Sequence, residues 1–179
     1  MLAILLANPA ANLIGVVAVV LATTWPLYKT KQNILWAQGA LHVAFALHFF
    51  LLGAYTASVM NGLGFSQAIA AVPLGKRPAF KIIYLLTLPL IAIGAYLTWQ
   101  GMPSIFAALA LALFSIGRYL SNTLMMRFLM LLGILSWTVH DILVMSVPAL
   151  AADALSLGTS LWMLRGEFRA LKSPARTVL

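Results

Sequence analysis

The chain contains no cysteine and very little charge. Only 8% of its 179 residues are charged, and three of those are acidic, whereas soluble domains carry about 25% charged residues. The absence of cysteine excludes disulfides, thiolate metal sites and cysteine nucleophiles. Because 63% of the residues are hydrophobic, the composition predicts an integral membrane protein and excludes a soluble globular domain.

The eleven basic residues fall into four clusters, which are Lys29 and Lys31; Lys76, Arg77 and Lys81; Arg118 and Arg127; and Arg165, Arg169, Lys172 and Arg176. Each stretch between clusters is long enough for two apolar helices of about 20 residues, the length that crosses a bilayer. Lys and Arg concentrate in cytoplasmic loops, so all four clusters are placed on one face. The pattern predicts seven transmembrane helices in a bacterial inner membrane, with the amino terminus outside and the carboxyl terminus cytoplasmic.

Turn residues and charges give approximate helix bounds of 9–28, 32–52, 56–74, 79–100, 103–118, 123–145 and 148–164. Asn8 is expected to cap the first helix, with Pro9 at its first position. The fifth helix is the shortest, so its length also allows a re-entrant segment; Arg118 could extend it by reaching the interface with its charged head. The basic segment 166–179 is expected to be a cytoplasmic tail with little to fold around.

An offset of 92 residues places the last three predicted helices over the first three. It pairs polar or aromatic residues inside apolar spans: His48 with His140, Asn61 with Asp153, Phe45 with Trp137, and Gln67 with Thr159. We therefore predict an all-α fold in which a three-helix repeat, 1–78, is joined by a linker helix, 79–101, to a second repeat, 102–165, before the tail 166–179. One linker helix makes the two repeats parallel.

Five residues form the candidate solute site: His48, Asn61, Trp137, His140 and Asp153. At about 1.5 Å per residue, four of them lie roughly 8 Å below the outer boundary: His48, Asn61, His140 and Asp153. A carboxylate within a span is costly and usually marks a pathway or a proton relay. The alternative is that His48 with Asn61, and His140 with Asp153, only hydrogen-bond neighbouring helices together.

Two other polar residues in the spans receive structural interpretations. His42 lies about 120° around its helix from His48 and is interpreted as a packing histidine. Asp141 points about 100° away from His140 and is expected to reach toward the outer interface. Neither is included in the candidate site.

Two segments, 48–55 (HFFLLGAY) and 136–141 (SWTVHD), resemble the matching stretches of the YgjV-type bacterial inner-membrane family. The three-plus-one-plus-three layout also resembles the SWEET and PQ-loop transporters. These resemblances imply a SWEET-like bundle with a solute path between two three-helix units, and Asn61 and Asp153 stand roughly where SWEET proteins carry paired asparagines. The chain departs from that pattern because it has no Pro-Gln pair, and Arg118 takes the position that corresponds to Pro26.

The function predicted from these features is a transporter or facilitator of a small hydroxylated or amine-bearing solute. Two alternatives remain: a haem- or metal-binding membrane protein that uses His48 and His140, and a non-transporting membrane scaffold. No enzyme motif occurs at a workable spacing, and neither a cofactor nor a metal is expected. Because the basic residues are spread over separate loops, nucleic acid is not an expected partner. The expected partners are the lipid bilayer and the solute, and a homo-oligomer is compatible with the sequence.

Overall fold

The computed structural model describes residues 8–24, 28, 31–71 and 78–172. These residues form seven α-helices and no strand, and a 3₁₀ turn, Pro78–Ile82, leads into the fourth helix. The helices are α1 Pro9–Thr24, α2 Lys31–Leu51, α3 Tyr55–Ala70, α4 Ile83–Leu97, α5 Met102–Tyr119, α6 Thr123–Leu143 and α7 Val147–Lys172. The predicted all-α class is confirmed.

Four helical segments are long and apolar enough to cross a membrane: Ala79–Leu97, Met102–Tyr119, Leu124–Leu143 and Val147–Gly166. Two shorter apolar helices, Pro9–Thr24 and Leu35–Leu51, accompany them. Large apolar side chains such as Leu13, Tyr96 and Leu97 are more than two-thirds exposed on the outside of the bundle. An outer surface of this kind is suited to hydrocarbon, so the chain is an all-α membrane protein.

The start of α1 agrees with its predicted cap. The Asn8 Oδ1 atom accepts a hydrogen bond from the Ala11 backbone N–H at 3.1 Å, and its Nδ2 group donates to the Leu51 carbonyl at 2.7 Å. Asn8 therefore both begins α1 and fastens it to the end of α2. The residues between Thr24 and Tyr28 and the predicted end of α3 near residue 74 lie outside the described residues.

The α7 helix continues to Lys172, eight residues past its predicted end near Leu164. The expected end of this helix near residue 164 is therefore wrong, and the first part of the predicted tail, 166–172, is helical. Glu, Arg, Ala, Leu and Lys make up most of this stretch, and all five residue types favour helix. Extending an existing helix adds one hydrogen bond for each residue fixed, so no new nucleus is needed.

The α5 helix is continuous over 18 residues, or about 27 Å at ~1.5 Å per residue. It starts after Gly101, which adopts a φ of 83°, and it is a regular helix rather than a broken, re-entrant segment. Arg118 does not extend the helix outward as expected. Its guanidinium instead turns into the bundle and donates to the Gln67 side chain at 2.7 Å.

The 92-residue offset also relates helix bounds and turns. The α2 and α6 helices differ by 92 at both ends, and α3 and α7 start 92 residues apart. Gly53 and Met145, which are also 92 apart, both have left-handed backbones, with φ of 75° and 54°. In each turn the residue after them donates a backbone hydrogen bond of 2.9 Å to the carbonyl five residues earlier. The division into two repeats stays a prediction, and these matched features support it.

The helix neighbours follow the same relation. Consecutive helices pack together within α1–α3 and within α5–α7, while α4 contacts α3 and α5. Between the two sets, α1 packs on α7 and α3 packs on α5. The offset converts one of these two contacts into the other. These contacts are those expected if the two predicted three-helix units surround a common axis.

Candidate functional site

A cavity of about 160 Å³, here called the axial cavity, opens between the two three-helix units. Five pairs of its lining residues are related by the 92-residue offset: Ala22 and Phe114, His42 and Ile134, Phe45 and Trp137, Phe49 and Asp141, and Asn61 and Asp153. Residues paired in this way line the cavity from both predicted units, as expected for a cavity on an axis that relates the two repeats. Its volume is below the 300–1,000 Å³ of typical drug-sized pockets, which limits an occupant to a small molecule.

The polar groups of the axial cavity are distributed unequally between the units. Both carboxyl groups, Asp141 and Asp153, come from the second unit, whereas His42 and Asn61 come from the first. The aromatic walls come from both units, and the rings of Phe49 and Trp137 stack with centroids 5.8 Å apart. The two units thus contribute five pairs of equivalent positions to the cavity wall, but both of its carboxyl groups lie on one side.

Asp153 presents an unpartnered carboxylate oxygen. Its Oδ2 atom is buried, and among the described side chains it is the buried polar atom that has no hydrogen-bond partner. The neighbouring polar groups are those of Thr138, His140 and Asp141. Leaving a carboxylate oxygen unpaired inside a membrane protein is costly, so this atom calls for a ligand atom, a water or a proton.

Asp141 is 2% exposed and lines the axial cavity, so the expectation that it reaches toward the outer interface is wrong. The Nδ1–H of His140 donates to its Oδ1 at 2.8 Å. His140 is itself 1% exposed and lies behind Asp141 rather than in the cavity wall. The rotation of α6 thus directs the carboxylate to the cavity, and His140 orients that carboxylate.

His48 is fully buried, away from the axial cavity. Its Nδ1–H donates to the Ala11 carbonyl, and its Nε2 accepts from the Ser146 hydroxyl, each at 2.7 Å. Gly15 leaves the space for this ring, because a Cβ there would lie 2.8 Å from both His48 Nδ1 and Pro148. His48 therefore fastens α1, α2 and the turn before α7 together, and the geometry gives it a structural role instead of the predicted binding role.

His42 lines the axial cavity, although it was interpreted from the sequence as a packing histidine. Its Nδ1–H donates to Asn61 Oδ1 at 3.2 Å, and Asn61 Nδ2 donates to the Ala57 carbonyl at 3.0 Å. His42 also lines a second cavity. One feature of the sequence distinguishes His42. The 92-residue offset pairs it with the apolar Ile134, whereas it pairs His48 with His140.

The structure thus brings Asn61, Trp137 and Asp153 together in the cavity wall and adds His42 and Asp141. His48 and His140 stand outside that wall. The hydrogen-bonded pairs also differ from those considered for a purely structural role. His48 hydrogen-bonds Ser146 rather than Asn61, and His140 hydrogen-bonds Asp141 rather than Asp153.

Replacing Gly64 by alanine is expected to lower the melting temperature of the purified protein, because the new Cβ would lie 2.7 Å from His42 Cε1. Overpacking of this kind typically costs about 1–3 kcal/mol. Gly62→Ala is the matched control, since nothing lies within 4 Å of a Cβ at that position on the same helix. Equal melting temperatures for the two variants, measured by thermal unfolding in detergent, would contradict the packing described for His42.

Comparison with known proteins gives one family. The family model Imp-YgjV, described as a bacterial inner membrane protein, matches residues 9–169. The match covers all seven helices except the last three residues of α7. No curated protein and no solved structure matches the chain.

Proposed function

The chain belongs to the Imp-YgjV family of bacterial inner membrane proteins, and we propose that it moves a small polar solute across the membrane through the axial cavity. The observation that carries the proposal is the buried, unpartnered Oδ2 atom of Asp153 in the cavity wall. Ionisable groups inside membrane bundles usually serve a substrate or ion pathway. A polar solute would supply the partner that this oxygen lacks.

The chemistry of the wall favours a solute with a hydroxyl or an amine. Asp141 and Asp153 offer acceptors, while the Asn61 amide and the His42 ring can offer both donors and acceptors. An ionised carboxyl group attracts a positive group more strongly in a low-dielectric cavity than it does in water. The rings of Phe45, Phe49 and Trp137 supply apolar walls, and an aromatic face also attracts a cation.

The membrane arrangement forms part of the proposal. Seven helices cross the bilayer, with the amino terminus outside and the carboxyl terminus cytoplasmic, in a layout of two parallel units like that of SWEET proteins. The four basic clusters support the orientation. The offset-related helix bounds and the equivalent α1–α7 and α3–α5 contacts support the two-unit layout. Transporters built from repeats also bind their substrates at the interface between the repeats.

The two alternative functions agree less well with the geometry. A haem bound by His48 and His140 does not fit the packing, because both histidine rings already contact the Phe49 ring, with centroid distances of 5.1 Å and 5.2 Å. Both His48 nitrogens are also hydrogen-bonded. A scaffold role accounts for His48, but it does not account for an unpartnered carboxylate oxygen beside a cavity.

Uptake into proteoliposomes tests the proposal. Two radiolabelled probes cover the proposed class: choline, which is cationic and hydroxylated, and erythritol, which is neutral and hydroxylated. We expect protein-containing vesicles to take up at least one of them faster than protein-free vesicles of the same lipid. Equal rates for both probes in the two kinds of vesicle would contradict transport of this solute class.

A further inference from the structure

A second cavity of about 140 Å³, here called the Arg118 cavity, lies beside the ends of α3 and α5 that are far from the Gly53 turn. Its polar lining residues are Gln38, His42, Gln67, Tyr84 and Arg118. His42 belongs to the walls of both cavities. The hydrogen bond between His42 and Asn61 therefore stands where the two spaces meet.

Arg118 is held inside the bundle by neutral groups. Its Nη1 group donates to Gln67 Oε1 at 2.7 Å, and Gln67 Nε2 is anchored in turn on the Ser115 hydroxyl at 2.6 Å. The Phe114 ring lies 5.7 Å from the guanidinium carbon. These contacts fix the position of the guanidinium without neutralising its charge.

Among the described side chains, the carboxyl groups that could neutralise Arg118 lie at the axial cavity. The chain has three acidic residues. Two of them, Asp141 and Asp153, line the axial cavity and do not line the Arg118 cavity. Arg118 is half-buried, and a partly desolvated charge without an oppositely charged partner is stabilised by a ligand that supplies that charge. The planar guanidinium matches a carboxylate or phosphate with two parallel hydrogen bonds.

We propose that the Arg118 cavity is a binding site for a small oxyanion, a carboxylate or a phosphate group, separate from the axial cavity. Arg118 binds the anion, and the Gln38 amide and the Tyr84 hydroxyl can donate further hydrogen bonds from the same wall. Gln67 positions the guanidinium. Anion binding at this site can be measured without a transport assay, so the transported solute need not be known.

Thermal unfolding of the full chain in nanodiscs of zwitterionic lipid tests the proposal. Acetate and inorganic phosphate are titrated against chloride at constant ionic strength. A ligand that binds only the folded state raises the melting temperature as its concentration passes its dissociation constant. We expect a saturable rise with at least one of the two anions. We also expect Arg118→Gln to lose that rise.

Lys81→Gln is the matched control. It removes the same charge from the same basic face, but Lys81 hydrogen-bonds Ser121 at 3.1 Å and does not line the Arg118 cavity. This variant is expected to keep the response. If Arg118→Gln does not fold, Gln67→Glu serves instead, since it places a carboxylate on the guanidinium and should abolish the response. No rise in the original chain, or an equal rise in the Arg118→Gln or Gln67→Glu variant, would overturn the proposal.

A second set of nanodiscs containing anionic lipid separates the two sources of an oxyanion. If a lipid headgroup occupies the site, anionic lipid alone raises the melting temperature of the original chain, leaves Arg118→Gln unchanged, and removes the acetate and phosphate response. If the site takes a soluble anion, the response persists in both lipid compositions. Either pattern supports an oxyanion site and identifies its source.

Discussion

Replacing Asp153 by asparagine is expected to lower protein-dependent uptake of the entering probe at least about tenfold, which corresponds to about 1.4 kcal/mol. Asparagine has nearly the shape of aspartate, so the cavity keeps its size, but the unpartnered Oδ2 acceptor is replaced by a donor or a neutral oxygen. If Oδ2 binds the solute, the substitution removes an acceptor that the solute uses in the cavity wall. The measurement is the initial rate of radiolabel uptake into proteoliposomes of matched protein content.

Glu167→Gln is the control for that variant. It makes the same acid-to-amide change on the same helix, fourteen residues nearer the carboxyl end, or about 21 Å away at ~1.5 Å per residue. Its uptake rate should equal that of the original chain. If Asp153→Asn kept the full rate while both variants remained folded, the assignment of Asp153 to the solute site would be wrong.

Replacing His48 by alanine is expected to cost about 2–4 kcal/mol of stability, without a direct effect on the cavity wall. Hydrogen bonds between helices in membranes average only about 0.6 kcal/mol, so most of this cost comes from the empty space. The imidazole is fully buried and fastens three chain segments, and the change removes its bonds to Ala11 and Ser146.

Leu47→Ala is the control for the His48 variant, because Leu47 is next to His48 but 50% exposed on the outside of the bundle. Reversible unfolding in mixed micelles should show a much smaller loss for it. His48→Gln should recover part of the stability, since an amide can still donate to one partner and accept from the other. A His48→Ala variant as stable as Leu47→Ala would disprove the fastening role.

The helices could be predicted because caps, turns and long uncharged stretches are local signals. The 92-residue offset could be predicted because it can be read by comparing the two halves of the sequence. Asn8 begins α1, Gly101 and Pro103 begin α5, and long uncharged stretches bound the spans. The predicted starts of α2, α3, α5, α6 and α7 fall within one residue of the observed ones. The extension of α7 to Lys172 was missed because basic residues mark the membrane face, but they do not end a helix.

The composition of the site could be predicted only in part, because it depends on how each helix is rotated in the bundle. Asp141 and His140 are adjacent, so a rotation of about 100° decides which of them faces the cavity. The partners of His48 lie 37 and 98 residues away, and no local pattern indicates them. Asp153 and Asn61 were found because the offset pairs them and both are polar within apolar helices.

We expect a water-accessible cavity, with the carboxyl groups of Asp141 and Asp153 on one side, between the two units. The chain has no cysteine, so a single Ser156→Cys substitution places one thiol in the axial cavity. Its reaction rate with a small cationic methanethiosulfonate reagent is then compared with that of a neutral reagent of similar size. Leu155→Cys, on the outer surface that faces the lipid, is the control and is expected to react more slowly. We predict that Cys at 156 reacts with both reagents, prefers the cationic one, and loses that preference when Asp153→Asn is added. A thiol at 156 that reacts no faster than one at 155, or that shows no preference for the cation, would contradict the account.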